Sequence, residues 1–394
     1  MKLNTKILWV LAVVAFVVGL YGLYLRLTTG HLNAGYGSYV PWGMWVAMYL
    51  FFVGTAAGMF LVATLDVPLG VRAFAGTAPV ALLAALASLG AGLFQIWTDL
   101  GWMGRIWSVY LTPNFNSVMT QIVWGYTLFG LLMLAVVALL WRGGFDRLVK
   151  ILMWVGIPLA LYLSGGVGAL LGVEASRLFW HAGLFPAQFP VFSVASGVAL
   201  MLVLVGLVDA KLAQEHGHLL RILALGAIVL QVVKLYFLWA EFSQSLYGGV
   251  PENVAAVNAV LFGPYAWAFW GLQIVLGTLV PIVVLAVPAW SKQPALAGWA
   301  GMLMLLGFAV ARANIVFPAM TVPEFDALRL AYTGPGLTYE YFPTLAEWLL
   351  AVWIVGAAAL AFLIVHRLLP IAPAEGAGEA VKREAVRAPA PAAD

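Results

Sequence analysis

MWVAMYLFFVGTAAGMFLVATL, residues 44–65, is an uncharged run of 22 residues with no polar face. Wound as a helix at about 1.5 Å per residue, it crosses the roughly 30 Å hydrocarbon core of a bilayer. A helix that is apolar all round belongs either in lipid or in the middle of a large core. Composition decides between them: 64% of the chain is hydrophobic and 9% charged, with a mean hydropathy of +1.01, whereas a water-soluble domain covers itself with about 25% charged residues.

Outward from 44–65, comparable segments recur near 7–27, 76–97, 117–141, 148–171, 189–208, 219–243, 262–288, 295–316 and 344–366, ten in all. Barrel strands would be shorter and would alternate apolar with polar, so the reading is an all-α integral membrane protein with ten transmembrane helices. The first segment follows Lys2 and Lys6, but its apolar run exceeds that of a leader and no small-residue cleavage site follows, so it is read as a spanning helix. An even count places both termini on one side. Of the nineteen lysines and arginines, thirteen fall on that side, Arg26, Arg105, Arg177 and Arg329 on the other, and Lys234 and Arg312 within segments. This bias assigns the termini to the cytoplasm. The net charge of +3 reflects the same bias and implies no nucleic-acid partner.

The chain has no cysteine, which excludes thiolate-ligated clusters and cysteine nucleophiles. His31, His181, His216, His218 and His366 all fall in loops or at segment ends, and a haem between two mid-helix histidines has no ligands here. The expectation is no haem, no iron-sulfur cluster and no metal in this chain. Redox chemistry would need a bound small molecule or a partner.

Chemistry-bearing residues cluster around 99–125, DLGWMGRIWSVYLTPNFNSVMTQIVWG, a polar, aromatic connection on the outward side. Asp99 closes the third segment and shares a face with Gln95; it is either solvated or paired with Arg105. Asn114, Asn116 and Ser117 are candidates to cap the fourth segment. In the second segment, Gly54 and Gly58 allow a neighbouring helix to approach closely. Tyr49 lies on the side of Trp45, as a packed aromatic or as a ligand contact. The fifth segment carries Tyr162 and Ser164 among glycines whose bare backbone calls for a packed helix or a flat ligand.

A weak duplication is visible. FFVGTAAG at 51–58 resembles PVFSVASG at 190–197, and Trp124-Gly125 is echoed by Trp270-Gly271, 146 positions on. Two four-helix units follow, about 42–172 and 188–317, with the first and tenth segments as flanks; the first carries no candidate site. In the second unit Lys234 and Glu241 share a face two turns apart, and Arg312 lies within ARANIV. Buried ions cost at least ~2.5–3.5 kcal/mol each. They form either a structural ion pair or a proton path that includes Gln95. The 317–343 loop, with Glu324, Asp326, Arg329 and Glu340, has a length that suits a binding or covering element. Residues 371–394 have too little apolar surface to fold and are read as a disordered cytoplasmic tail.

Asp99-Leu-Gly, Arg105, Trp107, Pro113-Asn114, Ser117-Val-Met, Trp124-Gly125, the YLFFVGTAAG run and Tyr162-Leu-Ser-Gly together resemble the NrfD/PsrC family, the quinone-reactive membrane subunits of polysulfide-reductase-type complexes. The ten-helix branch includes HybB, DsrP, QrcD and alternative complex III subunits, and YEYFPTLAEW…HRLLPI resembles the hydrogenase-2 subunit. The resemblance covers residues 1–370. It implies a bacterial inner-membrane subunit that binds menaquinone or ubiquinone near the periplasmic face. A periplasmic four-cluster-type iron-sulfur protein would dock there and lead to a hydrogenase, molybdopterin enzyme or cytochrome. The family site maps to the first four-helix unit and Tyr162 matches a family tyrosine; the expectation is that Trp45, Tyr49, Asp99, Trp124, Tyr162 and Ser164 line the quinone site, with Tyr49 and Tyr162 on the quinone carbonyls and Asp99 exchanging protons with the outer aqueous phase, that Arg105 tunes Asp99 or docks the partner, and that Asn114 and Asn116 meet the partner. Shorter members have a histidine near the position of Tyr49, and its absence leaves the proton donor open. The rival readings are an ion or proton translocator without quinone chemistry, and a passive anchor.

Overall fold

The computed structural model describes residues 3–209, 217–325, 327–332 and 334–368. The tail read at 371–394, Lys211, His216 and Asp326 lie outside the described residues. Ten helices are long and apolar enough to cross a bilayer: α1 Asn4–Thr29, α2 Met44–Asp66, α3 Ala78–Asp99, α4 Val118–Arg142, α5 Asp146–Gly172, α6 Phe185–Val208, α7 His218–Gly248, α8 Ala268–Ala286, α9 Pro294–Thr321 and α10 Leu345–Leu368. They correspond one to one with the ten apolar segments. Three ends differ. α7 and α9 each run about a turn further, because their last residues lower the hydropathy without breaking the helix. α8 begins only at Ala268, because Gly263-Pro264 interrupts the eighth segment. Before it lies a short helix, Pro251–Leu261, that hydropathy does not reveal.

α2 and α6 form the centre: the α2 window is 83% buried, against 17% for α1. α3, α5 and α9 pack around α2, while α1 lies outermost against α10, which in turn packs on α3. Lipid tails are as apolar as leucine, so helices in a membrane associate through close fit rather than water exclusion. The α2–α6 crossing illustrates this. A Cβ on Gly58 would overlap the Ser193 backbone, one on Gly197 would overlap the backbone of Gly58, and Gly54 faces the Ser193 hydroxyl. The two similar stretches, 51–58 and 190–197, thus pack against each other through their equivalent positions.

The first half of α8, Ala268–Leu279, is wound as a π-helix, and the Thr278 hydroxyl closes one wide turn by donating to the Gln273 carbonyl at 2.8 Å. Gly277 abuts Gly307 of α9 there.

The connections after α1, α3, α5, α7 and α9 gather at one end of the bundle, the loop end. Arg177 ties three of them, donating to the carbonyls of Val322 (2.9 Å) and Tyr39 (3.5 Å) and pairing with Glu324 at 3.2 Å. Tyr265 donates to the Tyr341 carbonyl at 2.7 Å.

Candidate functional site

α3 stops at Asp99 and the chain leaves extended at Leu100. The last carbonyls of a helix lack intrahelical donors, and a cation supplies them here. Arg26, in the last turn of α1, donates from Nε to the Thr98 carbonyl and from a terminal nitrogen to the Leu100 carbonyl, both at 2.6 Å. Its guanidinium also lies over the Trp45 ring, 5.7 Å from the centroid. α1 is therefore no bystander, contrary to the expectation that it carries nothing of the site.

Asp99 is half-buried and accepts the Tyr36 hydroxyl at 2.7 Å. That oxygen is 3.5 Å from His31 Nε2, and the His31 ring packs against Trp45 at 5.7 Å. Burial, then the charge of Asp99, pushes the Tyr36 phenol far up; burial, then the charge of Arg26, lowers His31 below its usual range. Of the two alternatives for Asp99, solvation or a pair with Arg105, the pair is not formed. A tight turn at Met103–Trp107 carries Arg105 outward, where it is exposed and stacks on Trp102 at 5.3 Å.

A second carboxylate, Glu347, is fully buried next to this cluster. It receives the Tyr341 hydroxyl at 2.5 Å and the Gly35 and Thr344 amides at 2.8 and 3.2 Å. Thr344 and Glu347 form a capping box at the start of α10, with the Glu347 amide 3.4 Å from Thr344 Oγ1. Tyr341 accepts the Met44 amide at 2.7 Å, which locks the start of α2. Glu347 is thus a clamp whose acceptors are occupied, whereas Asp99 has the one hydroxyl. Arg26, His31, Tyr36, Tyr341 and Glu347 escape a reading of the sequence; the T-x-x-E spacing at 344–347 is the one signal that points to any of them.

The other expected quinone residues fall in different places. Trp45 belongs to the Asp99 cluster and donates to the Glu347 carbonyl at 3.3 Å. Gln95, one turn below Asp99, is fully buried, and both ends of its amide lack a partner. Tyr49 is buried. Trp124 and Tyr162 lie apart from these, where α4, α5 and the 108–116 segment meet: Tyr162, half-exposed, donates to Gln121 at 2.8 Å, and Trp124 donates to the Val109 carbonyl at 3.2 Å and packs on Tyr110. Ser164 shares a 2.6 Å hydrogen bond with Ser193 at the α5–α6 contact. Asn114 and Asn116 are exposed, and Asn114 caps the Asn116 amide at 3.1 Å rather than the helix; Ser117 occupies the N-cap without a side-chain bond.

In α7–α9, of the two alternatives for Lys234, Glu241 and Arg312, the structural ion pair does not form among the described residues. Lys234 donates to Thr278 at 2.6 Å and lies 4.9 Å from the Phe308 ring centre. Glu241 accepts from Gln188 at 3.3 Å. Arg312 stacks on Phe189 at 3.8 Å with one terminal nitrogen unpartnered. Asn314 donates to Gln273 at 2.7 Å and Gln231 to the Gly277 carbonyl at 2.8 Å. Glu241 borders two small cavities: one of 40 Å³ with Gln188, His181 and Asn253, and one of 20 Å³ with Lys234, Gln273 and Asn314.

The family profile described as Polysulphide reductase, NrfD, matches residues 33–324. The chain is 31% identical to a selenate reductase subunit of Mesobacillus selenatarsenatis, over 90% of this chain and 92% of the relative. It is 24% identical to the Hdr-like menaquinol oxidoreductase integral membrane subunit of Archaeoglobus fulgidus, over 93% of each. With the menaquinone reductase integral membrane subunit of Nitratidesulfovibrio vulgaris it shares 23% identity, over 95% of this chain and 94% of the relative.

Proposed function

Because the chain belongs to the NrfD family of polysulphide-reductase membrane subunits, we propose that it is the quinone-reactive membrane subunit of a multisubunit oxidoreductase, working at its loop end. The names of its relatives, a menaquinol oxidoreductase subunit and a menaquinone reductase subunit, support the substrate class. A quinone supplies a carrier of two electrons and two protons. The residues around Asp99 fit such a headgroup: Gln95 offers a buried donor and acceptor without a partner, and Trp45 supplies an aromatic wall. The half-exposed Tyr162, bonded to Gln121, marks the entrance in this reading. The exposed 102–116 segment, with Arg105, Asn114 and Asn116 among bare aromatics, suits the docking of an iron-sulfur partner.

The placement of Arg26 carries the proposal. Two of its N–H groups are engaged on the Thr98 and Leu100 carbonyls, and among the described residues Asp99 forms no ion pair, so its carboxylate, which accepts the Tyr36 hydroxyl, is placed to take and return a proton. A positioned acid or base of this kind is worth about 10²–10⁴-fold. Asp99→Asn in the assembled complex is expected to lower quinone-linked turnover by about 10²-fold while the partner still co-purifies; unchanged turnover would exclude Asp99.

A second reading, proton translocation through the second unit, is supported by Glu241 bordering both small cavities. Volumes of 40 and 20 Å³ admit waters, since one needs about 10–15 Å³, and the smaller cavity is lined by both Glu241 and Lys234. Lys234→Met is expected to lower the number of protons moved per electron in proteoliposomes while turnover with uncoupler persists. An unchanged ratio would make Lys234 structural.

A further inference from the structure

Resting on the quinone reading of the loop end, we infer that His31 is the group that exchanges the proton of Asp99 with water, with the Tyr36 hydroxyl as the link between them. The geometry is a short chain. Tyr36 touches Asp99 Oδ1 at 2.7 Å and His31 Nε2 at 3.5 Å. Tyr36 itself is buried, whereas His31 is half-exposed in the α1–α2 connection.

The other groups around the chain are unsuited to the role. Arg26, from α1, is engaged on two carbonyls. Glu347, from α10, is fully buried with its oxygens taken by Tyr341, Gly35 and Thr344. Tyr341, whose ring lies 6.2 Å from that of Tyr36, donates to Glu347. Trp45, from α2, does not titrate. His31 remains as the titratable group that touches both the relay hydroxyl and the surface.

In the quinol-oxidising direction the step balances as follows. The O–H bond on Asp99 breaks and an O–H forms on Tyr36, while the original Tyr36 O–H breaks and an N–H forms on His31 Nε2. The imidazolium then gives up that proton to water. Because burial strongly disfavours a Tyr36 phenolate, the two transfers are concerted. Because burial and Arg26 lower His31, the ring is neutral near pH 7 and able to accept. Quinone reduction uses the same bonds in reverse.

The test uses the assembled complex with a short-chain quinol and an artificial electron acceptor. His31→Gln and Tyr36→Phe are each expected to slow turnover by roughly tenfold near neutral pH, below the full effect of a positioned acid–base group. The double variant is expected to be no slower than either single one, as for residues acting as a unit. Turnover of the unaltered complex falls as pH drops because protonation of His31 and protonation of Asp99 each block acceptance, and His31→Gln removes the His31 part of that acidic limb while the Asp99 part stays. Free imidazole restores His31→Ala but not His31→Ala combined with Tyr36→Phe. If His31→Gln matched the unaltered complex at every pH while Asp99→Asn was inactive, the relay would be overturned and the quinone reading kept. A slowed His31→Gln with an unshifted pH profile and no imidazole rescue would also overturn the relay, leaving His31 a packing residue. A fully active Asp99→Asn would overturn the underlying reading itself.

Discussion

Replacing Arg26 by methionine keeps the stem of the side chain over Trp45 and removes the donors that cap α3. The Thr98 and Leu100 carbonyls then lose their partners, at a cost of roughly 2–4 kcal/mol, read as a lower unfolding temperature of the complex in detergent. A second effect is electrostatic. The charge of Arg26 is the second cause, after burial, that holds His31 down. Without it the His31 pKa rises, the ring becomes protonated at higher pH, and the acidic limb of quinol oxidation moves upward. At this scale Asp99 was legible as a carboxylate at the end of an apolar run, but its surroundings were not. Tyr36 and Arg26 reach the end of α3 across 63 and 72 residues of chain, and helical spacing connects only residues one or two turns apart. Arg105, six residues along, was the nearer cation in sequence and proved the wrong one, because the turn between them faces it outward.

Among the elements, the α2–α6 crossing makes the sharpest demand. Gly58→Leu would force backbone apart from backbone at Ser193, where no side chain can rotate out of the way. Overpacking costs about 1–3 kcal/mol even where side chains adjust; here the expected outcome is loss of monodisperse complex on size exclusion. Gly90→Leu is the control, since a Cβ at Gly90 meets nothing within 4 Å. The spans themselves were legible because length and hydropathy are properties of contiguous residues, and Gly54 and Gly58 announced a close approach without naming the partner helix. The short helix Pro251–Leu261 is too polar to register as a span and too short to stand alone. The π-helical turns at the start of α8 have no sequence signal; they become visible only with Gly277 against Gly307 and Thr278 bonded to Gln273.

For the molecule as a whole, the flanking helices set the character of the loop end. The family profile spans residues 33–324, so Arg26 and His31 on one side and Tyr341 and Glu347 on the other lie beyond it. α1 and α10 pack on each other and bring these four groups over the end of α3. The chemistry proposed for Asp99 therefore depends on which aqueous compartment that end meets. The excess of lysine and arginine at the opposite end predicts that it lies outside the cytoplasm. The chain contains no cysteine, so single introduced thiols report position without background. Tyr247→Cys and Leu330→Cys, 92% and 88% exposed at the loop end and outside the 102–116 docking segment, are expected to react with a membrane-impermeant maleimide in intact cells lacking an outer barrier. Phe145→Cys and Trp290→Cys, at the other end, are expected to react only after permeabilisation. The reverse pattern would move Asp99, His31 and the docking face to the cytoplasmic side, and a quinone reaction there would take up or release its protons in the cytoplasm.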